Sequence, residues 1–206
     1  EGFVYQGELS AQTGKPRGVD CAAQPPQFFV DFIQNHDQTG NRAQGERLIS
    51  LAGAGKTRVL LAVLLLSPHI PLLFMGEEFA ETNPFLFFTD FHGDLAKAVR
   101  EGRAKEFAGH AGHDASVPDP NDPQTFIRSK LDWQKAASEE GKAWLRFTRH
   151  LIQLRHRYIV PLLAAGGAVE GMILHAAAQA LAVSWQFSAA TLSVALTNAE
   201  QRAAMP

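Results

Sequence analysis

The triplet Asn35-His36-Asp37 follows an apolar run, Phe28-Phe29-Val30-Asp31-Phe32-Ile33, with only Gln34 between. Parallel α/β folds keep their reactive groups at the C-terminal ends of buried strands. A carboxylate at Asp37 can accept hydrogen bonds from sugar hydroxyls there, and His36 can donate to another hydroxyl of the same ring. Such bonds strengthen as a pyranose flattens toward an oxocarbenium ion, so this is chemistry suited to breaking a glycosidic bond. The same triplet also suits a solvated Asx-type turn after a strand, and residues elsewhere must decide between the two.

Four further groups carry possible chemistry. Glu77-Glu78 follows a second apolar run, Ile70-Pro71-Leu72-Leu73-Phe74-Met75. These carboxylates either line the same cleft or serve as salt-bridge and capping groups. Asp90 stands among Phe87, Phe88 and Phe91, a sugar-subsite composition in which rings stack on the pyranose and a carboxylate bonds its hydroxyls; the alternative is a small satellite core beneath a loop. Ala52-Gly53-Ala54-Gly55-Lys56-Thr57 looks like a phosphate loop, but Ser50 stands where that pattern needs glycine and Glu46–Ile49 reads as helix rather than strand. It is read as a helix interruption. His110 and His113, with Asp114 beside them, have zinc spacing only on a helix; Gly109 and Gly112 oppose one, so the segment is read as a solvated loop. No metal and no cofactor are expected.

The elements that position these groups follow from pattern. Residues 1–27, punctuated by Gly14, Pro16, Gly18 and Pro25-Pro26, read as loop. Phe28–Ile33, apolar on both faces except at Asp31, predicts a strand covered on both sides, as in a parallel sheet. Gly40-Asn41-Arg42 predicts a polar turn. A helix starts near Gln44 or Gly45, falters at Gly53-Ala54-Gly55, resumes from Lys56 to Leu66 with a buried second half, and stops at Ser67-Pro68. The second strand then completes a strand–helix–strand crossover. Residues 79–135 are mostly irregular and hold one amphipathic helix, from Asp94 to about Phe107. A second amphipathic helix spans Ser138–Tyr158, with Trp144, Phe147, Leu151, Leu154 and Tyr158 on one stripe. Arg149, Arg155 and Arg157 crowd its last turns, where cations suit the helix dipole, and Pro161 ends it. Three short strands, about 168–175, 180–187 and 191–197, read as part of a small antiparallel β domain.

Composition sets the outer limits. The chain has 206 residues, 46% hydrophobic and 19% charged, with net charge −2. No basic stripe suggests nucleic acid or an anionic membrane as partner. The longest apolar stretch, Val59–Leu66, is too short to cross a bilayer. The single cysteine, Cys21, cannot form an internal disulfide and fits a reducing, cytoplasmic compartment. Neither an initiator methionine nor a signal-peptide pattern opens the sequence.

Several motifs together carry a resemblance. Phe32-Ile33-Gln34-Asn35-His36-Asp37-Gln38-Thr39-Gly40-Asn41-Arg42-Ala43, then Gly45-Glu46-Arg47-Leu48, looks like the seventh-strand region of the α-amylase superfamily. Within it, the sequence resembles the maltooligosyltrehalose trehalohydrolase family. Ser67–Phe79 resembles that family's eighth strand. Phe87–Phe91, Ala98–Arg103, Val117–Asp122 and Ser129–Trp133 resemble its following loops, and Trp144–Arg157 its eighth barrel helix. The resemblance implies an α/β fold: residues 1–160 as the C-terminal part of a (β/α)8 barrel, and 161–206 as part of a small antiparallel β domain. It implies cleavage of the α-1,4 bond beside the trehalose unit of maltooligosyl trehalose, an α-glucan substrate of the full-length enzyme. Asp37 matches the family's transition-state-stabilising carboxylate, and His36 the subsite histidine. Gln38, Asn41 and Arg42 fall where the family's loop borders the cleft, and Asn35, Glu77 and Asp90 join them as candidate substrate contacts. The family's nucleophile and general acid sit on earlier strands with no match here, so this chain alone is expected to be inactive. Open barrel edges are expected to favour self-association. The alternatives are another α-glucan enzyme, such as a branching enzyme, or a non-catalytic carbohydrate-binding or structural module.

Overall fold

The computed structural model describes residues 5–19, 21, 24–108, 117–166, 169–178 and 180–197. His110, His113 and Asp114 lie outside them. The chain divides into two compact units, one of residues 1–31, 58–72 and 149–206, the other of residues 32–57 and 73–148.

The first unit opens on an antiparallel hairpin, β1 (Gln6–Leu9) with β2 (Pro16–Gly18). The polar, Gly- and Pro-marked sequence predicted only loop here; the strands are too short and too polar to show a period. β3 (Val30–Asp31) pairs in parallel with β4 (Ile70–Pro71). Ile70 N–H donates to Phe29 O (2.9 Å) and Leu72 N–H to Asp31 O (2.8 Å). Both strands are shorter than their apolar runs, because each has one hydrogen-bonded neighbour in this sheet. Nor are they covered on both faces: Phe28, Val30, Ile70 and Leu72 are exposed. β5 (Glu170–Ala177), β6 (Ala180–Gln186) and β7 (Thr191–Thr197) form an antiparallel sheet in that order. β5 is an edge, with Met172, Ile173 and Leu174 exposed.

The second unit begins its helices with α1 (His36–Gly40). It also holds α3 (Gly93–Phe107), α4 (Pro123–Arg128) and α5 (Trp133–Ala137), with a 3-10 turn at Glu77–Phe79. α2 (Leu48–Leu66) is interrupted at Gly53, whose φ of 81° and ψ of 160° are not helical. The length and composition of α2 would suffice to cross a membrane. The break leaves Ala54–Leu66, roughly 20 Å of helix, against a hydrocarbon core of about 30 Å. Leu61, Leu64 and Leu65 are buried, whereas Val59 and Leu60 are exposed, so this helix is apolar all round but covered on one side.

α6 (Glu139–Leu154) does not end at Pro161. A π-turn over Arg155–Ile159 follows it, and α7 (Val160–Ala164) continues with Pro161 in its first turn, where a missing donor is tolerated. The wider turn inserts one residue and rotates the apolar stripe by about 100°. Trp144 and Leu151 are buried as the stripe predicts, but Tyr158 is exposed and Ile159 takes the inward position.

Arg155 is not a cation spread on the helix end. It is buried and donates to Leu65 O (3.1 Å), Ser67 O (2.6 Å) and His69 O (2.6 Å). It thereby satisfies the carbonyls where the chain leaves α2 and approaches β4. Beside it, His69 Nδ1 lies 2.6 Å from Asp31 Oδ2, which explains the one polar residue in the first apolar run. Replacing Arg155 by leucine leaves three carbonyls without their donors and is expected to lower stability by about 3 kcal/mol. Urea unfolding checks this; an unchanged midpoint would refute the clamp.

Candidate active site

The site candidates gather in the second unit, beginning at α1. Asn35 is extended (φ −145°, ψ −171°), and its Oδ1 accepts from Asp37 N–H (2.7 Å) and Gln38 N–H (3.1 Å). It is therefore an N-cap. Asn35 sets the start of α1 rather than offering that oxygen to a ligand. Asp37 then falls in the first helical turn, where a negative charge is favoured. Its carboxylate is not used in the cap. Among the described residues it meets only His36 Nε2, at 3.4 Å, and the two side chains are 65% and 71% exposed. Gln38 and Asn41 are also exposed, and Asn41 N–H closes the helix onto Asp37 O (3.0 Å). Arg42 differs: its Nε bonds Glu46 Oε2 at 3.2 Å, a pair one helical turn apart in sequence.

Glu77 is placed otherwise than expected for a sugar contact. It is 4% exposed and turned inward. Its Oε1 accepts from Gln34 Nε2 (3.0 Å) and its Oε2 from Phe74 N–H (3.0 Å). Gln34, also buried, accepts from Leu48 N–H through its Oε1 (3.0 Å), capping the start of α2. The carboxylate expected at a cleft is thus an internal strut. Glu78 is half-buried, and its carbonyl accepts from Thr148 Oγ1 (3.2 Å).

Arg47 lies at the centre of this network and is 1% exposed. Its Nε donates to Asn83 O and its Nη1 to Met75 O, both at 2.7 Å, and the guanidinium lies 5.1 Å from the Phe74 ring centre. Burial pulls it below its ordinary pKa, while Glu81, Glu77 and Glu78 pull it back. Glu81 is equally buried and accepts from Thr82 N–H, Asn83 N–H and Asp132 N–H at 2.6–2.7 Å. A second buried arginine, Arg103 of α3, donates to Gly40 O (2.7 Å) and Arg42 O (3.0 Å), holding the loop after α1. No pattern in the sequence marks these roles. Arg47, Glu81 and Arg103 find partners far along the chain, and no local period marks them.

The aromatic loop packs against the same region. Phe74, Phe85, Phe88 and Phe126 form a chain of edge-to-face contacts at 5.2–5.7 Å. Phe85 N–H donates to Gly45 O (2.9 Å). Gly45 has φ +60°, and a Cβ there would sit 2.5 Å from Phe85 O, so no other residue fits without displacing the loop. Asp90 is exposed. Its neighbours Thr89 and Phe91 are fixed by Asn121, whose Oδ1 accepts from Thr89 Oγ1 (2.9 Å) and Phe91 N–H (3.0 Å). The phenylalanines thus divide: Phe85 is half-buried, whereas Phe87, Phe88 and Phe91 keep more exposed rings beside Asp90 in the sequence. Among the described residues no group of three or more His, Cys, Asp or Glu could hold a metal ion.

No protein-family model matches the chain. A crystal structure of a Salmonella typhimurium protein, assigned provisionally as an alpha amylase, is 66% identical with a TM-score of 0.93, and covers all of this chain and 35% of that one. The malto-oligosyltrehalose trehalohydrolase of Deinococcus radiodurans is 45% identical over 157 residues, 75% of this chain and 26% of that protein. Its counterpart from Rhizobium sp. (strain M-11) is 42% identical over 158 residues, again 75% of this chain and 26% of the relative. The fold and the site region therefore place the chain among α-amylase-type glycoside hydrolases, with only part of the barrel present. More narrowly, three quarters of its sequence is similar to the malto-oligosyltrehalose trehalohydrolases. The chain spans about a quarter of the length of the curated relatives it matches.

Glu77 supplies a pH dependence. Stripping water from the carboxylate raises its pKa from 4.5 to about 7; Phe74 N–H, Gln34 and Arg47 oppose that rise, and Glu78 adds to it. Between those values the folded chain holds a proton that the unfolded chain has released. The group's contribution to stability is therefore full below about pH 4.5 and is lost as pH rises to about 7. Glu77→Gln is expected to flatten that fall, which is on the order of 2–3 kcal/mol in the wild type. Urea midpoints measured from pH 4.5 to 8 test this; parallel curves for the two proteins would contradict it.

Proposed function

We propose that this chain supplies the Asp37 side of the active site of a retaining glycoside hydrolase that cleaves the α-1,4 bond next to trehalose in maltooligosyl trehalose. The observation that carries the reading is the state of the carboxylates. Asp37 is presented by a capped helix with its oxygens open to solvent, whereas Glu77 and Glu81 are buried and bonded internally. In this reading residues 1–160 contribute the last two barrel strands with their helices and loops, and 161–206 part of a β domain. Asp37 steadies the oxocarbenium-like transition state, and His36 bonds a hydroxyl of the same sugar. Gln38, Asn41 and Asp90 border the cleft, with the exposed rings of Phe87, Phe88 and Phe91 as stacking faces. Retaining hydrolysis needs a nucleophile and a general acid about 5–5.5 Å apart. The family resemblance gives this stretch neither, so the 206-residue polypeptide alone is inactive. The reading places it in the cytoplasm and gives it no nucleic-acid or membrane partner.

A chimera tests the reading: this chain replaces the corresponding quarter of the Deinococcus radiodurans trehalohydrolase. The folded chimera is expected to release trehalose from maltooligosyl trehalose, and Asp37→Asn to lower its kcat roughly 100-fold or more, while the polypeptide alone releases none. Full activity of the Asp37→Asn chimera, or turnover by the isolated chain, would overturn it.

The exposed apolar residues at β3–β4 and along β5 further support self-association of the isolated chain through its strand edges. Light scattering is expected to show species larger than 22.5 kDa whose proportion rises with concentration. A concentration-independent monomer would refute this.

A further inference from the structure

We propose that Glu77 is a positioning residue for Asp37, acting through Gln34 on the segment that enters α1. The inference rests on the reading of Asp37 as the sugar-facing carboxylate, but its mechanical part stands on this structure alone.

The linkage is short and buried. Glu77 Oε1 holds Gln34 Nε2 at 3.0 Å, and the other end of the same amide holds Leu48 N–H at 3.0 Å. Gln34 is therefore fixed at both ends of its side chain, between the 3-10 turn at Glu77–Phe79 and the start of α2. The next residue, Asn35, caps α1 and bonds Asp37 N–H at 2.7 Å. From Glu77 to the Asp37 backbone there is one side-chain hydrogen bond, one peptide link and one capping bond. Gln34 and Glu77 are both buried, so water does not compete for their bond.

A second observation makes this linkage responsive. Arg47 Nη2 is buried and has no hydrogen-bond partner among the described residues, although Nε and Nη1 of the same guanidinium are satisfied. The charged groups facing Glu77 are Arg47, from the segment before α2, and Glu78 beside it; Glu81 faces the same guanidinium. When Glu77 ionises, the charge it gains attracts the Arg47 guanidinium, whose Nη2 is unused. A shift of Glu77 toward Arg47 changes the bond to Gln34 and so the setting of the Asn35 cap. Burial already brings the ionisation of Glu77 to about pH 7, within the range where such a device would respond.

The test is a pH titration of the chain by NMR, in a His36→Gln background so that the neighbouring imidazole does not contribute. The Asp37 amide resonance is expected to show a step coinciding with titration of the Glu77 side-chain carboxyl carbon. Glu77→Gln should abolish that step. Gln34→Met should keep the Glu77 titration but lose its echo at Asp37. A step that survives in Glu77→Gln or in Gln34→Met overturns the linkage, as does its absence in the parent. The Gln34→Met arm does not require the charge variant to fold. Failure here leaves the Asp37→Asn result in the chimera untouched, and a harmless Asp37→Asn leaves the linkage standing without its catalytic meaning.

Discussion

The second unit depends on one buried cation. Arg47 is sealed from water with its guanidinium between the carbonyls of Met75 and Asn83, the Phe74 ring and the fields of Glu77, Glu78 and Glu81. Removing one partner from such a cluster is costly, because the remaining charge cannot be rehydrated. The loop from Met75 to Asn83 has little regular structure, and much of its fixed path comes from these bonds. Gly76 and Ala80, on either side of the 3-10 turn, are both left-handed, with φ of 87° and 60°.

That cluster also sorts the acidic residues. A carboxylate with three N–H donors, such as Glu81, is committed to holding backbone, and one buried against Gln34 and Phe74 N–H, such as Glu77, is committed to those two donors. Asp37 has neither constraint, since Asn35 took the capping role that an aspartate often fills. The availability of Asp37 is thus a consequence of its neighbours. An Asn-His-Asp order gives a cap and a free acid; an Asp-His-Asn order would have reversed them.

Much of this was legible in the sequence. The helices α3 and α6 and the strands β5–β7 carry their own period, and Gly53 marked the break in α2. The α1 segment was recognisable as a loop with chemistry, through its residue types and family resemblance. What the sequence did not show depends on partners distant along the chain. Glu77 was indistinguishable from a cleft residue because its donors come from Gln34 and Phe74. Arg155 looked like a helix-end cation because its three carbonyls lie some ninety residues away. Tyr158 was misplaced because a π-turn has no sequence period. Asn35 and Arg42 read as substrate contacts from the sequence; in the structure local bonds to Asp37, Gln38 and Glu46 take Asn35 Oδ1 and Arg42 Nε.

A structure of the chimera with trehalose bound would test most directly the claim that Asp37, and not the buried acids, meets sugar. The account expects a sugar hydroxyl about 3 Å from the Asp37 carboxylate, with Arg47 and Glu81 still closed off beneath it. Sugar in contact with Glu77 or Arg47, or bound with Asp37 pointing away into solvent, would contradict it.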